Sequence, residues 1–127
     1  MARLRMLVID DEPDLRTILG AMLRGDGHDV ETASNGTEGL GLISRTPFDV
    51  IFCDLRMPVM DGRALYDEIR RDYPQALKRI VFVTAQAHSP DYGPFLREIG
   101  APVLEKPFTP QGLRQMVSRM TGSARYR

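Results

Sequence analysis

Met6-Leu7-Val8-Ile9-Asp10-Asp11-Glu12-Pro13 begins with four consecutive apolar residues and stops on three carboxylates and a proline. An apolar run without alternation marks a strand covered on both faces, as in a parallel sheet. A strand with one face in water would alternate apolar and polar residues. Pro13 suits the first turn of a helix. Leu15, Ile18, Leu19, Met22 and Leu23 then follow at helical spacing. The stretch therefore reads as a buried strand, an acidic stop and a helix.

The same unit recurs outward along the chain. Val50-Ile51-Phe52-Cys53 is a second unbroken apolar run, ended by Asp54, and Ile80-Val81-Phe82-Val83 a third, ended by Thr84. Val103-Leu104 is shorter and precedes Glu105-Lys106-Pro107, while His28-Asp29-Val30-Glu31-Thr32 alternates weakly and predicts a less buried strand. Helical patterns lie between these runs. Gly25 and Gly27 end the first, and Asn35 predicts an N-cap for a second ending near Ser44. Gly36, Gly39 and Gly41 lower that helix's intrinsic propensity. Asp61-Gly62 opens a helix through Leu65, Ile69 and Arg70 that Tyr73-Pro74 closes. Thr109-Pro110 opens the last, with Leu113, Met116, Val117 and Met120 on one face. Strand and helix alternating in this way imply a parallel sheet with helices on both faces. One domain over residues 4–120 is expected, with a flexible C-terminal tail over residues 121–127.

The composition agrees. The 127 residues are 43% hydrophobic and 27% charged, with 17 Lys plus Arg against 17 Asp plus Glu. One compact soluble domain fits these values. Zero formal net charge gives no bulk attraction to nucleic acid or to an anionic membrane. No apolar run approaches the roughly 20 residues that span a bilayer, and Met6–Ile9 is too short for a signal peptide. A cytoplasmic protein without membrane insertion or direct nucleic-acid binding is expected. The lone Cys53 cannot form an internal disulfide, in keeping with a reducing compartment.

In an open doubly wound sheet, chemistry collects beyond the carboxyl ends of the strands. Asp10 and Asp11 follow the first strand, Asp54 the third and Lys106 the fifth, while Thr84 ends the fourth. Singly, each has a plain reading: an Asp after a strand caps a helix, a Thr is a good strand residue, a Lys is solvated. Five at one edge of one sheet point to a site. The ordered set resembles the receiver domain of two-component response regulators over nearly the whole chain. Leu7-Val8-Ile9-Asp10-Asp11-Glu12 resembles that family's acidic pair, and Val83-Thr84-Ala85 its hydroxyl motif. Glu105-Lys106-Pro107-Phe108 resembles its lysine motif. The residues from Asp54 through Leu55-Arg56-Met57-Pro58-Val59-Met60 to Asp61-Gly62 resemble its phosphoacceptor loop and are the most specific stretch.

The resemblance implies a flavodoxin-like doubly wound five-stranded parallel sheet, order 2-1-3-4-5, with five helices. It implies that Asp54 accepts a phosphoryl group from a histidine kinase or histidine phosphotransfer protein. The chain then acts on a downstream protein by changing shape and is no enzyme beyond metal-dependent phosphotransfer and autodephosphorylation. Asp11, Asp54 and the backbone carbonyl of Arg56 would bind Mg²⁺ directly, with Mn²⁺ as an alternative, and Asp10 partly through water. Lys106 would supply counter-charge, Thr84 a hydroxyl donor, and the Lys106–Pro107 bond would be cis. Arg56 and Gln86 would set the phosphoryl lifetime. The chemistry is coherent. A carboxylate with a reference pKa of about 3.9 is already ionised at neutral pH and needs no general base. Its obstacle is the like charge of its neighbours, which a hard cation relieves, and positive groups aimed at the phosphoryl oxygens do most of the remaining work.

Two departures from the family pattern stand out. Val103 occupies a position, three before the lysine, that is aromatic in many receivers; it reads here as a buried strand residue. His88-Ser89-Pro90-Asp91-Tyr92-Gly93-Pro94 should delay the fourth helix to about residues 94–99, behind a long flexible loop. Cys53 is expected to point away from Asp54 into the core. His28 and His88, without zinc-spaced partners, are expected at the surface or in loops, and most of the seven methionines in the core. A haloacid-dehalogenase-like phosphatase would want a carboxylate two residues after the nucleophile, where Arg56 stands. A nucleotide-binding fold would want a Gly-rich loop, and a DNA-binding regulator a helix-turn-helix segment. A stand-alone regulator and the receiver of a hybrid sensor kinase both remain open.

Overall fold

The computed structural model describes residues 3–122. Five strands, β1 (Arg5–Ile9), β2 (Asp29–Ala33), β3 (Val50–Cys53), β4 (Ile80–Thr84) and β5 (Val103–Glu105), form one parallel sheet in the order β2-β1-β3-β4-β5. The helices are α1 (Pro13–Gly25), α2 (Gly36–Arg45), α3 (Gly62–Asp72), α4 (Gly93–Ile99) and α5 (Pro110–Thr121). The expected doubly wound architecture and strand order are thus observed.

Each unbroken apolar run divides its side chains between two cores. Leu7, Ile9, Ile51, Cys53 and Phe82 face one side, under α2, α3 and α4, with Leu65, Ile69 and Phe95. Met6, Val8, Val50, Phe52, Val81 and Val83 face the other, under α1 and α5, with Leu19, Leu23, Leu113 and Val117. Alternation along a strand serves both layers at once, which is why no polar residue interrupts the runs. The edge strand β2 buries only its last residue fully, Ala33, as its weaker pattern predicts.

Two glycines set how closely elements approach. A Cβ on Gly39 would lie 2.5 Å from Ile9 Cδ1, so the poor helix former in α2 lets that helix settle on β1. A Cβ on Gly62 would lie 2.7 Å from the Asp54 carbonyl oxygen and 2.9 Å from Leu55 Cα, both backbone atoms. Gly62 therefore lets α3 begin directly against the end of β3. Gly62→Ala is expected to cost about 1–3 kcal/mol, since backbone must move to admit a methyl group. A denaturant midpoint unchanged from the parent would contradict this.

Several local expectations need correction. A 3-10 helix at Pro74–Arg79 follows α3, where Tyr73-Pro74 reads in the sequence only as a stop. His28 lies in the loop before β2, one of its two expected places, but is buried there: its Nδ1 accepts from the Leu4 N–H at 3.3 Å, and burial holds its pKa below the ordinary value. Val103 is only half-buried, because β5 is a short edge strand. Thr121 still belongs to α5 and Gly122 closes it in a left-handed conformation; the rest of the expected tail lies outside the described residues. Among the described residues no helix is long and apolar enough to cross a membrane.

Candidate phosphoacceptor site

The sheet ladder itself delivers the site. One rung beyond the strands, Asp10 N–H donates to Ala33 O (3.1 Å), Asp54 N–H to Ile9 O (3.0 Å) and Lys106 N–H to Thr84 O (3.0 Å). Asp10, Asp54 and Lys106 are therefore registered by backbone against the neighbouring strand, and residues far apart in sequence meet at one edge. Asp10, Asp54 and Thr84 are all buried.

Lys106 Nζ lies 3.4 Å from Asp54 Oδ2, 3.5 Å from Asp10 Oδ2 and 3.8 Å from Glu12 Oε1. Leu55 N–H donates to Asp54 Oδ1 at 2.8 Å, and Glu12 N–H to Asp10 Oδ1 at 2.9 Å. Gln86 N–H donates to Thr84 Oγ1 at 2.8 Å, which occupies a lone pair and leaves the hydroxyl proton for another acceptor. Burial, and then the charge of Asp10, push the Asp54 carboxyl up to about 6, against the opposing pull of Lys106 and Leu55 N–H. The sequence-based expectation of an ordinary carboxyl is corrected on this point: Asp54 is still mostly ionised at pH 7, but with little margin.

These groups open into a cavity of about 380 Å³ whose walls include Asp11, Asp54, Arg56, Thr84, Gln86 and Lys106. A larger open depression of about 780 Å³, beside Arg5, His28 and Asp29, holds none of these groups. The loop from Asp54 to Gly62 bends sharply: Val59, wholly exposed, has φ 69°. A β-branched residue in the left-handed region is costly, and such strain collects where loops serve a site.

A family model of the response regulator receiver domain matches residues 6–118. The chain belongs to the response regulator receiver domain family. It is 38% identical over 86 residues to the transcriptional regulatory protein GlrR of Escherichia coli (strain K12), covering 68% of this chain and 19% of that one. The receiver domain's fold is similar to that of the chemotaxis response regulator CheY4 of Vibrio cholerae, with a TM-score of 0.82 at 31% identity, covering 94% of this chain and 99% of that one. It is equally similar to the receiver domain of a sensor histidine kinase from Pseudomonas aeruginosa PAO1, whose structure has magnesium in the active site cleft: TM-score 0.82, 31% identity, covering 96% and 100%. The chain spans half the length or less of the transcriptional regulators among its curated relatives.

All the residues read from the sequence as site residues lie at this edge of the receiver domain, but not on equal terms. Among the described residues, the carboxylates whose oxygens converge within 4.8 Å of one another are Asp10, Glu12 and Asp54. Asp11 lines the cavity wall outside that group. Glu12 joins that group beyond the acidic pair, and three successive acids at a strand end are its only signal in the sequence. The Lys106–Pro107 bond is cis, as the resemblance implied. Cys53 is buried as expected, its thiol donating to the Asp54 carbonyl oxygen at 3.1 Å and pushed far up by burial and by the Asp54 charge. It is unreactive packing.

The loop before α4 departs most from expectation. Tyr92 is buried, and its hydroxyl donates to Asp61 Oδ2 at 3.0 Å. Asp61 Oδ1 meanwhile caps α3 through Ala64 N–H at 2.9 Å. The helix does start late, at Gly93, but the segment before it is pinned. Nothing in the local sequence signalled this, because the anchor's partner lies in another loop.

Proposed function

We propose that Asp54 of this receiver domain accepts a phosphoryl group from a histidine kinase or histidine phosphotransfer protein. The observation that carries the reading is the buried Asp54 carboxylate with Lys106 Nζ 3.4 Å from its Oδ2. Oδ1 accepts from Leu55 N–H while Oδ2 faces the Lys106 ammonium, so attack is assigned to Oδ2, the oxygen on the cation's side. It forms the bond to phosphorus while the bond to the donor's imidazole nitrogen breaks, the electron pair leaving with the imidazole. Lys106 and the Thr84 hydroxyl neutralise and hydrogen-bond the transferred oxygens. Spontaneous loss of the group to water is the only further chemistry assigned to this chain. Its other partner is a downstream protein, and it works in the cytoplasm without binding nucleic acid directly. Both a stand-alone regulator and a hybrid kinase receiver accommodate this reading.

The donor set fits Mg²⁺, with Mn²⁺ as an alternative: Asp10, Glu12 and Asp54 bring carboxylate oxygens together, and Asp11 and Arg56 line the adjoining cavity, so the set offers oxygens alone. Asp11, Asp54 and the Arg56 carbonyl would hold the ion, with Asp10 acting through water. When bound, the cation supplies charge neutralisation between Asp54 and an incoming phosphate. Asp11→Ala is expected to weaken Mg²⁺ binding more than Asp10→Ala or Glu12→Ala, by about tenfold or more on the scale of site-residue losses. Titration giving Asp11→Ala the parent's affinity, and Glu12→Ala the weakened one, would reassign the direct ligand to Glu12. For the function itself, incubation with acetyl phosphate and Mg²⁺ should add one acid-stable, base-labile phosphoryl group. No uptake at any Mg²⁺ concentration would contradict the reading.

A further inference from the structure

Arg56 lines the acceptor cavity from the β3–α3 loop, and its guanidinium is engaged by Asp91 and Tyr92, which do not line that cavity. Its Nη2 lies 3.3 Å from Asp91 Oδ2, and its Cζ stands 5.6 Å from the centroid of the Tyr92 ring. Tyr92 in turn is fixed to Asp61 through its hydroxyl, and its N–H donates to Ser89 Oγ at 3.2 Å. Ring and carboxylate together form a clasp that joins the two loops flanking Asp54. The parts differ in strength. The Tyr92 ring is buried and hydrogen-bonded, whereas Arg56 and Asp91 are 59% and 72% exposed. An exposed pair of that kind is weak, worth about 0–1 kcal/mol. A phosphoryl group carries roughly −1.5 to −2 charges and three strong acceptor oxygens. A guanidinium prefers such an acceptor, which it can meet with two donors at once.

We propose that Asp91 is a positioning residue: with the Tyr92 ring as seat, it holds Arg56 off the acceptor until a phosphoryl group on Asp54 draws the guanidinium across. Arg56 then lies over the phosphorus and obstructs the in-line approach of water, and Asp91 is released from the β3–α3 loop. Asp91 thus competes with the phosphoryl group for one cation. It shortens the phosphoryl lifetime, and its release carries the phosphorylated state to the segment before α4. This supplies a route to the α4 side of the domain that does not need an aromatic residue at position 103. The proposal rests on Asp54 being the acceptor.

The test is the decay of phosphoryl label on the full chain after loading with acetyl phosphate and Mg²⁺ and removal of the donor. Asp91→Asn should slow decay by about two- to fivefold, the range that an exposed ion pair commands. Asp91→Glu should restore the parent's rate. Arg56→Ala should decay faster than the parent, and adding Asp91→Asn to Arg56→Ala should change nothing further, which a merely structural role for Asp91 would not produce. Equal decay in Asp91→Asn and parent, or the same slowing in the Arg56→Ala background, would overturn the clasp while leaving Asp54 as acceptor. A parent chain that takes up no label at Asp54 would overturn both readings together.

Discussion

Lys106→Ala is expected to slow phosphoryl uptake at Asp54 by about 10²–10³-fold, the cost of removing one preorganised group from a site of developing charge. Its ammonium contacts both buried carboxylates, Asp54 and Asp10, from a side chain only 18% exposed. With alanine there, no equivalent cation faces the transferred oxygens from β5. The like charges of Asp10 and Asp54 would also stand uncompensated, so the variant should lose stability as well as rate. The two effects separate experimentally. Mg²⁺ should restore much of the stability by neutralising the carboxylates, but not the rate, because it does not replace a donor on the Lys106 side. Labelling at the parent's rate, in chain shown to be folded by circular dichroism, would remove Lys106 from the chemistry.

Asp54→Asn should make the metal-free domain more stable at neutral pH, by about 1–2 kcal/mol after allowing for the lost Lys106 pair. The sign follows from the raised pKa. Asp54 titrates near 6 in the fold against 3.8 when unperturbed. Between those values the folded chain holds a proton that the unfolded chain has released. Its contribution is therefore complete below about pH 4 and is lost as pH rises through about 6. The asparagine variant has no such loss. Its advantage over the parent should be small at pH 4, grow across the window and level off above pH 7. In a domain of this size the plateau corresponds to roughly 5 °C in Tm. Calorimetry finding the same difference at pH 4 and pH 7.5 would show that Asp54 is not the titrating group. Added Mg²⁺ should raise the parent's Tm and leave the variant's nearly unchanged.

The sheet was legible because physics leaves little choice for it. Runs such as Met6–Ile9 and Val50–Cys53 must be covered on both faces, and their alternating side chains do fill two separate cores. The site was legible for the same reason: residues that end parallel strands share an edge, whatever their separation in sequence. What sequence could not supply depended on partners from other elements. His28 reads as a polar turn residue until the Leu4 N–H is placed beside it. Tyr92 reads as part of a proline- and glycine-rich loop until Asp61 arrives from β3–α3. The 3-10 turn at Pro74–Arg79 was hidden because a proline closes one helix and can begin another with the same residue. Glu12 shared its stretch with two more prominent acids, and only the strand-to-helix bend brings its carboxylate towards Lys106.

Whether Asp54 is the acceptor is decided by mapping the phosphorylated residue. The chain is treated with acetyl phosphate and Mg²⁺, digested under acidic conditions that preserve an acyl phosphate, and analysed by mass spectrometry. A single phosphoryl group is expected on the peptide containing Asp54, absent when Mg²⁺ is chelated and absent from Asp54→Ala. Label on another residue, His28 and His88 included, or undiminished label in Asp54→Ala, would contradict it.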